Sequence, residues 1–393
     1  MRILAVGNGT SIHVRARLAA TAGRGHDVVL VTEAPGGDGC LREIAPPPGA
    51  GALAGLAALW RALRDEPADM LHVHYAAGYG AWLAGACGRS PLVVSVMGGD
   101  VLPEEQVPQN AAERWLTTRL LRRADLVTSK SAHLTGRLVA MGVAPPRILP
   151  LVWGVDQGRF RRRDASALRQ RLGLDPAARV VLSPRALRPF YNIHVIVDAF
   201  AVLASTHPDA VLVVTGHQPD AGYAAMLARR VETLELAGRV RFIGDVIAAD
   251  MPELYSLAEA VVSVPSSDGI PQSLLEALAC GVPVVLSDLE RYREWVEDGR
   301  SALMVEITPE AIAGALARLL GDAGLRDRLV ANGAEIIAGG GGLDANLDRL
   351  EAAMAGLPKA ARARPHLAML VVLAALVVGR AVAARLPFPR RDL

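Results

Sequence analysis

Two successive series of short apolar runs alternating with longer helical stretches constrain what this 393-residue chain can fold into. In the first series, residues 3–6, 28–32, 70–74, 92–96 and 126–129 read as strands, and 13–23, 53–63 and 79–85 as helices between them. The series breaks at Leu149-Pro150-Leu151-Val152-Trp153-Gly154-Val155-Asp156, with a charged stretch at 159–164 close behind. It then restarts with strands at 180–183, 210–215, 240–243 and 260–264 and helices at 193–204, 223–235 and 251–258. Strands that alternate with helices and lack a polar face predict parallel sheets covered on both sides. Ligands of such sheets sit beyond the carboxyl ends of the strands.

Composition narrows the class. Hydrophobic residues make up 51 % and charged residues 21 %, which describes a globular body rather than a disordered one. The formal net charge of +2 gives no footprint for bulk nucleic-acid binding. Cys40, Cys87 and Cys280 are too scattered for a disulfide framework or a zinc site, so a reducing cytosol is the expected compartment. The apolar run at residues 3–7 is too short for a signal peptide.

The C-terminal end stands apart. Residues 367–378 are uninterruptedly apolar, with Lys359, Arg362 and Arg364 before them and Arg380, Arg385, Arg390 and Arg391 after. A membrane span needs about 20 residues. Extension to Phe388 reaches that length only by including Arg380 and Arg385, which would snorkel toward headgroups. A short tail anchor or a helix lying in the interface is the expectation, at the inner face of the plasma membrane. An amphipathic helix closing the body is the bland alternative. The stretch 109–123, with Trp115, Leu116, Leu120 and Leu121 beside Arg114, Arg119, Arg122 and Arg123, reads as a packed surface helix, with a membrane-facing patch as the minority reading.

Chemistry concentrates in Ser266-Ser267-Asp268-Gly269-Ile270-Pro271-Gln272-Ser273-Leu274-Leu275-Glu276, followed by Gly281-Val282-Pro283 and the apolar run 284–286. Pro271 suits a first helical turn. The amides of Gly269 and Ile270 then point, with the helix dipole, at an anion. Glu276 stands among Leu275, Ala277 and Leu278, so its burial demands a polar partner. A sugar nucleotide offers a diphosphate to the helix end and hydroxyls to two carboxylates. Alternatively, Asp268 caps a helix and Glu276 is solvated.

This segment resembles the acid-x7-acid signature of the retaining family-4 glycosyltransferases, with Asp268 in place of the usual Glu. The resemblance implies the GT-B fold: two Rossmann-like, doubly wound parallel-sheet domains facing a cleft, here with a C-terminal apolar helix. The domains implied are 1–155 on the acceptor side and 156–342 on the donor side, then a crossover helix at 343–358 and a basic, apolar tail at 359–393. Gly339–Gly342 would be a flexible connection. By the same resemblance Asp268 faces the donor sugar, Gly269, Ile270 and Pro271 hold phosphate, and Glu276 holds the ribose. Arg185 matches the family's phosphate-binding Arg. Tyr191, followed by Asn192, falls where a Lys is usual, and Arg188 is a possible substitute. Gly216 joins the donor side. Gly9, Thr10 and Ser11 after the first strand and His74 after the third are acceptor or cleft candidates. His72 shares a strand face with His74. Met97 stands where many relatives carry a His, which leaves Asp100 as the nearest polar candidate for a catalytic role, or as a helix cap.

The reaction implied is metal-independent transfer of a sugar, with retention, from a nucleotide-diphosphate sugar to a lipid-linked or glycan hydroxyl, without cofactor. No Asp-x-Asp clamp exists in the chain. Charge on the departing diphosphate would then fall to Arg185 and helix amides. A sugar-nucleotide epimerase of the same fold and a non-catalytic, membrane-anchored sugar-nucleotide-binding protein are the alternatives. A phosphorylase is disfavoured, since Lys130 and Lys359 are the only lysines.

Overall fold

The computed structural model describes residues 1–37, 39, 41–102, 109–216 and 219–383. They divide into one unit of Met1–Leu151 with Leu347–Leu393 and a second of Val152–Asn346. The first unit contains β1 (Arg2–Val6), α1 (Ile12–Gly23), β2 (Asp27–Val31), β3 (Arg42–Ile44), α2 (Ala52–Asp65), β4 (Met70–His74), α3 (Tyr79–Ala86) and β5 (Arg89–Ser90). It continues with β6 (Leu92–Ser95), α4 (Ala111–Arg123), β7 (Leu126–Ser129), α5 (Ala132–Ala140) and β8 (Ile148–Pro150). Its seven-stranded sheet runs β3-β2-β1-β4-β6-β7-β8, parallel throughout. Strand order reverses between β1 and β4. β1, β2, β4, β6 and β7 are buried on both faces, as their apolar runs require, while the edge strands β3 and β8 are only partly covered. Caps set the helix starts: Ser11 accepts from Val14 N, and Asn110 forms a reciprocal capping box with Glu113.

The second unit contains α6 (Ser166–Arg171), β9 (Arg179–Ser183), α7 (Ile193–Thr206), β10 (Ala210–Val214), α8 (Ala221–Thr233), β11 (Val240–Phe242), α9 (Met251–Leu257) and β12 (Ala260–Ser263). It continues with α10 (Gln272–Ala279), β13 (Val284–Ser287), β14 (Leu303–Val305), α11 (Pro309–Gly321) and α12 (Ala323–Ile336). Its six-stranded parallel sheet has the order β11-β10-β9-β12-β13-β14. The chain reverses direction across the sheet between β9 and β12, where doubly wound folds leave room for a ligand.

The division falls at Leu151/Val152 rather than after 155. Val152, Val155 and Phe160 belong to the second unit's core. The four glycines at 339–342, expected as a flexible connection, hold a defined path. Val155 N donates to Gly341 O at 2.8 Å, and Leu343 N donates to Val155 O at 2.9 Å. Gly154 permits this approach: its φ is +72°, and a Cβ there would lie 2.6 Å from the carbonyl of Gly342. α13 (Leu343–Ala355) carries the chain back to the first unit. There Arg24 pairs with Asp348 and Glu351, and Arg349 donates to Pro150 O at 2.8 Å.

The tail differs most from expectation. Among the described residues no helix is long and apolar enough to cross a membrane. β15 (Ala361–Arg362) pairs antiparallel with β5, and α14 (Leu367–Ala383) packs on α2, α3 and α4. Met369, Leu373 and Val377, spaced four apart, are buried on one side of α14. A uniformly apolar sequence cannot announce such a stripe, because its neighbours alone decide which side is covered. Arg380, expected to reach for headgroups, donates instead to Tyr79 Oη at 3.1 Å and pairs with Glu113. Arg385, Phe388, Arg390 and Arg391 lie outside the described residues.

Candidate functional site

In the second unit, the segments leaving β9 and β12 meet at the reversal of strand order. Arg185 follows β9 and Asp268 follows β12. The Arg185 guanidinium donates from Nη2 to Asp268 Oδ2 at 2.8 Å and from Nη1 to Ser273 Oγ at 3.2 Å. Both charged side chains are largely buried, 12 % and 15 % exposed. Burial works against the Arg185 charge, but Asp268 and neighbouring tyrosines outweigh it and raise its pKa.

Tyr191, which falls where the resemblance expects a Lys, supports rather than replaces a cation. Its ring lies 4.2 Å from the Arg185 guanidinium carbon, a cation–π contact. Asn192 takes the left-handed conformation with φ of 53°, which Asn tolerates better than most residues. Its Nδ2 donates to Val264 O at 2.8 Å and Ser266 Oγ at 3.0 Å, and Ser266 N donates to Phe190 O at 3.1 Å. The Tyr191-Asn192 pair therefore fixes both Arg185 and the loop that carries Asp268. Arg188 is exposed. Gly216 is buried and donates to Gly244 O at 2.8 Å.

The helix after Asp268 starts one position later than the sequence suggests. Pro271 is the N-cap, with ψ of 139°, and α10 begins at Gln272. The amides of Gln272 and Ser273 therefore face the helix entrance. The Ile270 side chain is only 5 % exposed and sits in the core, so it offers a ligand nothing but its backbone.

Glu276 lies inside α10 and meets the polar partner its setting demands. Tyr255 on α9, fully buried, donates from Oη to Glu276 Oε2 at 2.9 Å. Burial pushes the Glu276 carboxyl up to about 7, against the Tyr255 hydrogen bond and the charges of Arg159 and Arg185. Folding therefore raises this pKa. Its contribution to stability is fully present below the ordinary value of 4.5 and is lost as pH rises through about 7. An ionised carboxylate is a stronger acceptor for ribose hydroxyls than a neutral acid, so with Glu276 in the expected ribose-binding role nucleotide affinity falls as pH drops below about 7. Tyr255→Phe removes a bond that favours the ionised form and moves this transition to higher pH. Glu276→Gln abolishes it. Titration calorimetry with a nucleotide diphosphate across pH checks both.

Tyr292, after β13, is fully buried beside Asp268. Burial first, then the Asp268 charge, pushes its phenol above the ordinary range. Ser273, Tyr255 and Tyr292 escape sequence reasoning. Ser273 alone left a signal, since it stands in the first turn of the helix after Asp268.

The first-unit candidates divide differently. Asp100, the candidate for a catalytic role, is 1 % exposed and clamps a loop. Its Oδ2 accepts from Ala76 N at 2.7 Å, and its Oδ1 accepts from Met97 N at 3.0 Å and Gly98 N at 2.9 Å. Burial raises its pKa, opposed by those three amides. A carboxylate so occupied is built to hold backbone rather than to face substrate. His74 is 1 % exposed, and burial holds it well below the usual imidazole range. His72, stacked 4.0 Å away, is pushed down to about 3 and bonds Ser95 Oγ at 2.9 Å. Gly9 N donates to Thr32 Oγ1 at 3.0 Å, Thr10 is exposed, and the Ser11 hydroxyl caps α1. Arg17 on α1, which the sequence reading did not single out, reaches the Met97 sulfur. Burial lowers Arg17 to about 9, with Asp100 opposing the shift. Among the described residues no group of three or more His, Cys, Asp or Glu is placed to hold a metal ion.

Residues 164–336 match the family description "Glycosyl transferases group 1", and residues 8–154 match "Glycosyl transferase 4-like domain". The chain belongs to the group 1, family-4 glycosyltransferases. It is 31 % identical over 294 residues to a D-inositol 3-phosphate glycosyltransferase of Nocardioides sp., covering 68 % of this chain and 63 % of that protein. The protein of that name from Streptomyces scabiei is 29 % identical over 282 residues, with the same coverage. The chain thus spans about 63 % of the length of these curated relatives. Among solved structures, Anabaena HepE, determined with UDP and glucose, superposes with a TM-score of 0.77 at 20 % identity, covering 91 % of this chain and all of that one. WaaG, a glycosyltransferase involved in lipopolysaccharide biosynthesis, gives 0.69 at 17 % identity, covering 91 % of this chain and 100 % of that one. The two parallel-sheet α/β units match the fold of both structures.

Proposed function

We propose that this protein transfers a sugar, with retention and without metal, from a nucleotide-diphosphate sugar to a hydroxyl of a lipid-linked or glycan acceptor. The observation that carries the reading is Arg185 and Asp268 converging beside the amides that open α10. A diphosphate arriving there takes over the Arg185 fork. Asp268 is then released to accept hydroxyls of the sugar. Glu276, steadied by Tyr255, accepts from the ribose. As the sugar–phosphate bond breaks, negative charge grows on the diphosphate, and the stacked guanidinium and helix amides stabilise it in place. The departing diphosphate takes the acceptor proton on the same face of the sugar, which preserves the anomeric configuration. HepE, solved with UDP and glucose, supports a nucleotide-sugar donor.

A phosphorylated cyclic polyol is the second reading of the acceptor, favoured by the sequence relatives, which are named D-inositol 3-phosphate glycosyltransferases. The exposed apolar side of α14 favours a membrane-borne acceptor. Purified protein, a panel of labelled nucleotide sugars and the two acceptor classes test both. The expected product is a glycoside whose anomeric proton coupling matches that of the donor. An inverted product rules out retention. A nucleotide sugar epimerised without acceptor, or bound without turnover, rules out transfer.

A further inference from the structure

At the amino-terminal edge of the first unit's sheet, the β5–β15 ribbon separates two adjoining cavities of about 360 and 260 Å³. They share Arg89 and Arg362; Arg2 lines the first and Arg123 the second. Asp69 and Asp125 line them too, and Arg2 is paired with Glu66 at 2.6 Å and Asp27 at 3.3 Å, which leaves Arg89, Arg123 and Arg362 without an ion pair among the described residues. Both acids are already bonded within the protein. Asp69 accepts from Arg2 N at 2.7 Å, and Asp125 accepts from Leu92 N at 2.8 Å and Ser90 Oγ at 2.9 Å. Arg89 is 8 % exposed and is held by the carbonyls of Leu63 and Glu66. The buried Nε of Arg123 has no hydrogen-bond partner. Uncompensated guanidinium groups around a cavity call for a phosphate-type anion.

The same ribbon leads directly into α14. Arg364 is exposed at its start, and Arg119 and Arg123 lie close enough to His366 to help burial lower its pKa. The side of α14 turned from the core exposes Leu367 at 72 %, Val371 at 60 % and Val378 at 48 %. Arg119 stacks over Trp115, on the neighbouring α4, at 5.2 Å. An apolar helix side bordered by arginines and an aromatic ring is the pattern of a surface that lies in a lipid interface.

We propose that this face docks on an anionic phospholipid bilayer, with Leu367, Val371 and Val378 entering the headgroup boundary and lipid phosphates seated against Arg89, Arg123 and Arg362. The inference rests on the reading that the acceptor is membrane-borne, and it names the surface that meets the membrane.

The test is co-sedimentation of the full chain with vesicles of phosphatidylcholine alone or mixed with phosphatidylglycerol. Binding is expected to the mixed vesicles only, and to fall as salt rises. Arg362→Gln with Arg364→Gln removes two charges worth about 1 kcal/mol each at such a surface, a loss of about 30-fold in partition. Leu367→Gln with Val371→Gln is expected to lower partition tenfold or more, with circular dichroism unchanged. Equal binding to neutral vesicles, or wild-type partition by either double variant, overturns the proposal. So does thermal stabilisation by inorganic phosphate without vesicle binding, which would mark a soluble-anion pocket. Transfer assays on the same proteins separate the two readings. Vesicle binding without transfer to lipid acceptors defeats the acceptor reading and leaves the surface standing. Transfer by a wild-type protein that ignores vesicles defeats the surface.

Discussion

Arg185→Gln lowers kcat for sugar transfer about a thousandfold, with a much smaller change in the Michaelis constant for the donor. The substitution keeps a hydrogen-bonding group near Asp268 and Ser273 but removes the guanidinium that touches Asp268. A single preorganised donor aimed at developing charge is worth about 10²–10³ in rate, and a full charge in a sheltered site sits at the upper end. Arg185→Lys keeps the charge and loses the fork and the stacking on Tyr191, so it falls between the two. Steady-state kinetics normalised to folded protein checks the series. An Arg185→Gln protein with near-normal kcat would place the charge stabilisation elsewhere.

Asp100→Ala moves stability rather than chemistry. Three backbone amides lose their acceptor in a site that is 1 % exposed. At about 1 kcal/mol or more for each buried amide left unmade, unfolding free energy drops by about 3 kcal/mol. Asp100→Asn retains one carbonyl oxygen and loses about half of that. Among molecules that remain folded, kcat stays within a few-fold of wild type. Denaturant titration read beside kinetics decides the point. A stable Asp100→Ala protein with kcat down a hundredfold would restore a chemical role.

The two residues differ in how far the sequence could reach. The double alternation is enough to assign two parallel sheets, since no other arrangement buries so many short runs lacking a polar face. Arg185 and Asp268 were legible because each follows a strand end, and topology brings the ends of β9 and β12 together. Asp100 also follows a strand and two nearby glycines. Only coordinates reveal that its oxygens already hold the amides of residues 76, 97 and 98. Glu276 demanded a polar partner, yet nothing in the chain pointed to Tyr255, 21 positions earlier on another helix. The packing of the tail was illegible for a related reason. Residues 367–378 carry no polar marks, so their burial against α2, α3 and α4 is decided by those helices and not by the run itself. Tyr191 looked like the loss of a cation, and its ring proves to lie against the one that remains.

The most direct measurement is a crystal structure of the protein with a nucleotide-diphosphate sugar. The account predicts the diphosphate against the Gln272 and Ser273 amides, Arg185 turned from Asp268 to a phosphate oxygen, and the ribose hydroxyls on Glu276. A nucleotide bound elsewhere, with the Arg185–Asp268 pair still closed, would contradict it.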